Sequence, residues 1–159
     1  MVKQSFPPVL PTLPRILILG SLPGDLSLAQ QQYYAHPQNR FWKVLFRLFE
    51  KDFSPDYGAR MRLLHTHGIA LWDVCASAIR PGSMDTAITD VIPNAIDRLL
   101  TENPSIQSVF FNGQKAQKLF DKHFHKEEHL HYITLPSTSP ANAQFSHDRL
   151  IQHWQIIKG

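Results

Sequence analysis

At 159 residues, with 43% apolar and 18% charged side chains, the chain has the composition of one ordinary globular domain rather than of a disordered segment. Its single cysteine, Cys75, excludes an internal disulfide, a CxxC zinc site and a Cys-ligated iron–sulfur cluster. The 16 Lys and Arg against 13 Asp and Glu leave a net charge of +3, which permits a polyanionic partner without requiring one.

Residues 1–14 hold Lys3 and four prolines but no apolar stretch of signal-peptide type. They read as a Pro-rich lead-in lying extended on the surface, ahead of a single domain over residues 15–159. No apolar run approaches the roughly 20 residues of a membrane helix, so a cytosolic, metal-free domain is expected.

Residues 15–20 form a nearly continuous apolar run, the pattern of a strand buried on both faces, and end in the turn Gly20-Ser21-Leu22-Pro23-Gly24. Polar sequence follows to Asn39. Residues 40–50 then place Phe41, Val44, Leu45, Leu48 and Phe49 at helical spacing, and a second helix is predicted over 56–67. A strand over 69–74, a loop at 80–83 and a helix from about Pro93 to 102 come next. Residues 108–111 form a third strand ending at Asn112-Gly113, and 114–124 a helix bearing Lys115, Lys118 and Lys122. The last strand, 131–135, runs into a loop at 136–145 and a final helix capped by Ser146.

Strands alternating with helices imply βαβ units and a parallel sheet, whose ligands sit outside the carboxyl ends of the strands. Those ends are Gly20–Gly24, Asp73, Asn112-Gly113 and residues 135–142. The glycines and Pro23 of the first turn suit either a tight strand exit or a phosphate cradle; neither a Walker loop nor a GxGxxG pattern is present. Tyr33 and Tyr34 sit in polar surroundings, as packing under a long loop or as rings that stack on a flat heterocycle. Asn39 stands where a helix cap belongs, and its amide also suits orienting a water or a base edge. Asp73 either pairs with a buried donor such as Arg80 or accepts a ligand N–H. Of the nine histidines only His125 and His129 stand in HxxxH spacing and no HExxH occurs, so no metal site is expected, and no G-x-S-x-G elbow occurs.

Together these motifs resemble the uracil-DNA glycosylase superfamily, from Arg15 to about Trp154. Its mismatch-specific branch has a Gly-x-Asn-Pro-Gly turn, then a loop ending in Ala-His-Pro-x-Asn-Arg-Phe-Trp. Here Gly20-Ser21-Leu22-Pro23-Gly24 and Ala35-His36-Pro37-Gln38-Asn39-Arg40-Phe41-Trp42 match in order. Residues 135–142, Leu-Pro-Ser-Thr-Ser-Pro-Ala-Asn, resemble the second motif, which grips DNA and inserts into the duplex. There are departures. Leu22 replaces a water-activating Asp or Asn, Asp73 replaces a base-reading Asn, and a Ser or Thr replaces the His or Asn of the closing motif. That pattern resembles the deoxyinosine (hypoxanthine) branch, in which the catalytic duty falls on the Asn of His-Pro-x-Asn, here Asn39.

The resemblance implies a three-layer αβα sandwich around a central, mostly parallel four-stranded sheet. It implies a cofactor-free, metal-free DNA repair glycosylase that flips a deaminated base and hydrolyses its N-glycosidic bond. No lysine falls at a motif position, which implies a monofunctional enzyme. By the same resemblance Asn39 positions water or bonds the departing purine, and backbone amides around Ser21–Gly24 stabilise charge on the base. Tyr34 stacks on the flipped base and Asp73 or Asn112 reads its edge. Ser137, Thr138 and Ser139 hold phosphates with Arg40 and Lys43, and Pro140, Ala141 and Asn142 form the inserting loop. Residues 1–49 carry five basic groups against Asp25 alone, a local excess suited to DNA or to a merely solvated helix face. The expected partner is damaged double-stranded, and also single-stranded, DNA, met by a monomer in the cytoplasm, at the nucleoid in a bacterium, with no membrane association. A mismatch-type uracil or thymine glycosylase and a catalytically weak damage-binding protein of the same fold are the alternatives.

Overall fold

A computed structural model describes residues 2–159. In chain order its elements are β1 (Val2–Gln4), β2 (Ile16–Gly20), α1 (Asp25–Gln30), α2 (Phe41–Leu48), α3 (Tyr57–Thr66), β3 (Ile69–Asp73) and β4 (Cys75–Ile79). After a 3-10 turn at Asp85–Ala87 come β5 (Thr89–Pro93), α4 (Ile96–Glu102), β6 (Ser108–Asn112), α5 (Gln114–His123), β7 (His131–Leu135) and α6 (His147–Trp154).

The central sheet is four-stranded and parallel in the order β3-β2-β6-β7, as expected. The most apolar strand, β2, takes an inner position and is buried along its whole length. Its side chains alternate between two cores. Ile16 and Ile18 join Phe41, Trp42, Leu45, Leu64 and Trp154 on one face; Leu17 and Leu19 join Ile96, Ala116, Leu119 and Phe120 on the other. The cores are thus walled by α2, α3 and α6 on one side and by α4 and α5 on the other, the three-layer arrangement. Register sets Gly20 beside Asp73 and Asn112 beside Leu135, so all four strands end at one edge.

Several elements differ from the sequence reading. Of the lead-in read over residues 1–14, Met1 lies outside the described residues and residues 2–14 do not simply lie on the surface: β1 pairs antiparallel with β4, and β5 completes a separate three-stranded sheet. Val9 exchanges backbone hydrogen bonds with Leu71 at 2.8 and 2.9 Å, covering the free edge of β3. Strands β4 and β5 are short, mixed in polarity and interrupted by register shifts, so they show no clean period-2 pattern. Pro93 closes β5 instead of opening a helix, and α4 begins at Ile96. The single-turn-and-a-half helix α1 lies in the polar stretch read as loop.

Ser146 caps α6 as expected, its hydroxyl accepting from the Arg149 amide at 3.2 Å. Ser146→Ala should therefore lower stability by about 1 kcal/mol, measured by urea unfolding, since the freed amide turns to water.

Candidate active site

A cavity of about 1070 Å³ opens at the carboxyl edge of the central sheet, reached by all four strand ends: Gly20, Asp73, Asn112 and Leu135. The turn Gly20–Gly24, the segment Met84–Thr86 and the closing loop Pro136–Asn142 form its walls, with Tyr34 and Asn39 between them.

The first turn is held by its carbonyls. Gly20 O accepts from Val74 N at 2.8 Å and Ser21 O from Cys75 N at 3.1 Å. The fully buried Arg80 guanidinium donates to Leu22 O and Pro23 O. Ser21 Oγ donates to Asp85 at 2.8 Å, and Lys3, only 8% exposed, ties Asp25 to Gly82 O. The amides of Ser21, Leu22 and Gly24 have no acceptor among the described residues, so the turn offers donors to whatever enters. Leu22 itself turns its side chain into the core beneath and is 6% exposed.

Asn39 stands one residue ahead of the cap position of α2, which Arg40 holds without a side-chain cap bond. Its Oδ1 accepts from the Phe41 amide at 3.0 Å, the first of the helix, while its Nδ2 has no partner among the described residues. The preceding turn is fixed by Asn39 N donating to His36 O and Gln38 N to His36 Nδ1.

Arg40 and Asn112 organise the closing loop. The Arg40 guanidinium donates to Asn142 O at 3.0 Å and to Phe145 O, and its amide donates to Thr138 O at 3.0 Å. Asn112 Nδ2 donates to Thr138 Oγ1 and Asn112 Oδ1 accepts from Thr138 N, both at 3.0 Å, so Thr138 is fully buried. Gly113 is needed beneath it: φ is +95°, and a Cβ there would stand 3.0 Å from the Ser137 Cβ. Within the loop Ser137 Oγ accepts from Ser139 N, Ser139 Oγ from Ala141 N, and Asn142 Nδ2 donates to Ser137 O. Pro140 and Ala141 are exposed at the tip. Lys43 lies on the exposed face of α2 with its ammonium 5.9 Å from the Phe53 ring.

Asp73 is 3% exposed, and its Oδ2 has no hydrogen-bond partner. Arg80, one of its two sequence-level prospects, is spent on the turn carbonyls instead. Burial, reinforced by the Asp85 carboxylate and opposed by Arg80, raises the Asp73 pKa to about 7. Tyr34 stacks one ring face on Phe41 at 4.1 Å, and its buried hydroxyl also lacks a partner. Burial and the charge of Asp73 push that hydroxyl above the usual tyrosine range, with the Asn112 amide opposing.

Sequence reasoning missed Asp85 and the role of Arg80, because both belong to the connection between two strands it did not detect. An arginine followed by Pro-Gly-Ser-Met-Asp carries no periodicity, and only the pairing of β4 with β5 folds it over the first turn. Among the described residues no group of three His, Cys, Asp or Glu is placed to hold a metal ion, and no lysine lines the cavity.

The family model described as the uracil DNA glycosylase superfamily matches residues 7–158. The chain is 44% identical over 117 residues to a hypoxanthine DNA glycosylase of Methanosarcina barkeri, covering 73% of this chain and 74% of that one. It is 37% identical over 160 residues to a hypoxanthine DNA glycosylase of Methanosarcina acetivorans, covering 99% and 98%. The solution NMR structure of a candidate uracil DNA glycosylase from Methanosarcina acetivorans superposes with a TM-score of 0.79 at 33% identity, over 100% of both chains.

A buried carboxyl with a pKa of about 7, against 3.8 unfolded, holds its proton more tightly in the folded state. Its contribution to stability is complete below the unfolded value and is lost as pH rises through the folded one. Asp73→Asn cannot ionise, so it should gain stability relative to the wild type from about pH 4 to about pH 7 and then level off. Urea midpoints of both proteins across pH 4–8 check this; a constant difference refutes the raised pKa.

Proposed function

The chain belongs to the uracil DNA glycosylase superfamily and is a DNA repair glycosylase, and from that premise we propose hypoxanthine, carried in DNA as deoxyinosine, as its substrate. The observation that carries this choice is Asp73, an acceptor-only group when ionised, buried at the cavity floor with an unpartnered oxygen. Hypoxanthine presents N1–H where adenine presents a bare N1, so a carboxylate favours the deaminated base. The two hypoxanthine DNA glycosylases similar to this chain support the same substrate.

The reaction starts with extrusion of the base, which costs a few kcal/mol and least for a wobble pair. The C1′–N9 bond then breaks with its electron pair leaving on the base, so positive charge develops on the sugar and negative charge on the purine. The free amides of Ser21, Leu22 and Gly24 stabilise the charge on the base, as an oxyanion hole does. Asn39 is the catalytic residue: Nδ2 is free to donate to the departing purine, and the second lone pair of Oδ1 to hold the water that adds to C1′. The water's proton passes to solvent or base, leaving free hypoxanthine and an abasic site. With no lysine lining the cavity, the enzyme is monofunctional and forms no borohydride-trappable Schiff base.

Gly20–Gly24, Tyr34, Asp73 and Asn112 form the substrate pocket. Ser137, Ser139 and Lys43 take phosphates, and Pro140, Ala141 and Asn142 meet the duplex. Arg40 and Thr138 act on DNA by holding that loop in place. The protein works as a monomer on double- and single-stranded DNA in the cytoplasm. Among the described residues no helix is long and apolar enough to cross a membrane.

A panel of duplexes carrying hypoxanthine, uracil, xanthine or ethenoadenine, scored for released base, tests the assignment. The expected result is fastest release of hypoxanthine. Faster release of uracil opposite guanine makes it a mismatch-type enzyme, and binding without release makes it a damage binder. Asn39→Ala should slow turnover by about 100-fold or more in a folded protein. Loss of stability with activity per folded molecule retained would reduce Asn39 to a cap. Because ionised Asp73 is the acceptor, kcat/KM for hypoxanthine release should rise with pH through about 7. That limb should vanish from the profile of Asp73→Asn.

A further inference from the structure

Two polar groups at the cavity floor are buried and left unsatisfied among the described residues: the Tyr34 hydroxyl, whose proton has no acceptor, and Asp73 Oδ2. Their side chains converge over Gly20. A Cβ on that residue would stand 2.8 Å from the Tyr34 hydroxyl and 2.4 Å from Asp73 Oδ1, so only glycine allows the approach. The tyrosine reaches this place at a cost, because its φ of +53° lies in the left-handed region, strained by about 1–3 kcal/mol for a non-glycine residue. An unsatisfied buried hydroxyl adds a penalty of similar size.

Packing explains the ring and not the hydroxyl. Phenylalanine would stack on Phe41 equally well and would leave no donor stranded. No polar group nearby accepts the Tyr34 proton: Asn112 bonds Thr138 through both amide atoms and only its second Nδ2 hydrogen faces the Tyr34 oxygen, and Asp85 accepts from Ser21. Strain and a missing bond at one spot mark a group held ready for a ligand.

We propose that Tyr34 is a specificity-determining residue whose hydroxyl donates to the carbonyl oxygen beside the N–H that Asp73 accepts, so that the two side chains together read a lactam edge. In hypoxanthine that edge is O6 with N1–H. Adenine offers the reverse, an amino donor toward the hydroxyl and a bare N1 toward the carboxylate, and is refused at both positions. The hydroxyl keeps its proton throughout the working pH range, since burial and the Asp73 charge hold its pKa above that of free tyrosine. This assigns Tyr34 a hydrogen bond to the base edge in place of a stack on the base, its ring being stacked on Phe41, and it rests on the hypoxanthine reading above.

Tyr34→Phe and the wild type are compared on duplexes containing deoxyinosine or 6-thio-deoxyinosine. The thio base keeps N1–H and replaces O6 with sulfur, a weak acceptor. Release of hypoxanthine should slow at least about 10-fold in the variant, while release of the thio base slows no more than about 2-fold. The unfolding midpoint should stay level or rise, because the deleted hydroxyl had no partner. Equal losses on both bases, or no loss on either, overturn the proposal, as does a variant whose slower release follows from a lower midpoint. Wild-type protein that releases no hypoxanthine overturns the substrate reading instead. The same four combinations, measured as equilibrium affinity for each duplex, then decide the pairing: a loss confined to the oxygen base sustains it, and a uniform effect refutes it.

Discussion

The register of β2 against β3 sets Gly20 directly beside Asp73, and much of the site depends on the closeness that this allows. A side chain at residue 20 would displace the carboxylate; with none, the strand end delivers an unpaired acceptor into a space that already contains the Tyr34 hydroxyl. Such an arrangement is unfavourable in the free protein. A desolvated carboxylate is costly, and here its neighbour Asp85 makes ionisation costlier still. The fold sustains it because the backbone carbonyls around it are satisfied. Asn94 Nδ2 takes the carbonyls of Asp73 and Cys75, and the first turn has its carbonyls bonded from Gly20 to Pro23.

The second, antiparallel sheet supplies that support. Strand β4 leads directly out of the site strand β3 and carries the chain to Arg80, whose guanidinium closes over the first turn. Strand β1 pairs with the same strand and brings Lys3 to Asp25 and Gly82. A positive charge buried as deeply as Arg80 needs full hydrogen bonding, and three backbone carbonyls provide it without a carboxylate. The clamp therefore fixes the turn while leaving Asp73 unneutralised. Had Arg80 paired with Asp73, the carboxylate would be satisfied and unavailable to a base.

Most of the central sheet was legible in the sequence because β2 and β3 are buried on both faces, so Ile16–Gly20 and Ile69–Asp73 read as apolar runs with one physical meaning. Helices α2 and α6 were legible for a similar reason, each burying a stripe that includes Trp42 or Trp154. Strands β1, β4 and β5 were not, because β1 buries a lysine between two exposed residues and β4 and β5 pair at the periphery with most of their side chains partly exposed. The location of the site followed from where parallel strands end. Its internal division of labour did not, since Arg40 and Asn112 look like ligands for DNA until their partners, some 100 and 26 residues away, are known. Asn39 shows why spacing alone could not decide: its amide oxygen accepts from the first amide of α2, from one residue ahead of the cap position, while the nitrogen of the same group remains free among the described residues.

The burial of Leu22 bears on how such a site performs hydrolysis. Leu22 packs its side chain into the core and cannot polarise a water, and its amide is without an acceptor among the described residues. Stabilisation must then come mainly from the side of the departing base. The donors on that side are several: free amides of the turn, the Asn39 nitrogen and the Tyr34 hydroxyl, while Asp73 selects the base by its N–H and does not stabilise its charge. A site weighted this way favours a base that is already a good leaving group when its charge is dispersed over carbonyl and ring nitrogens. It gains little from a strong nucleophile, because the bond to the base is largely broken before water must add. Selectivity and rate are then set by the same contacts, so a base that cannot satisfy the buried pair is bound poorly and also released slowly.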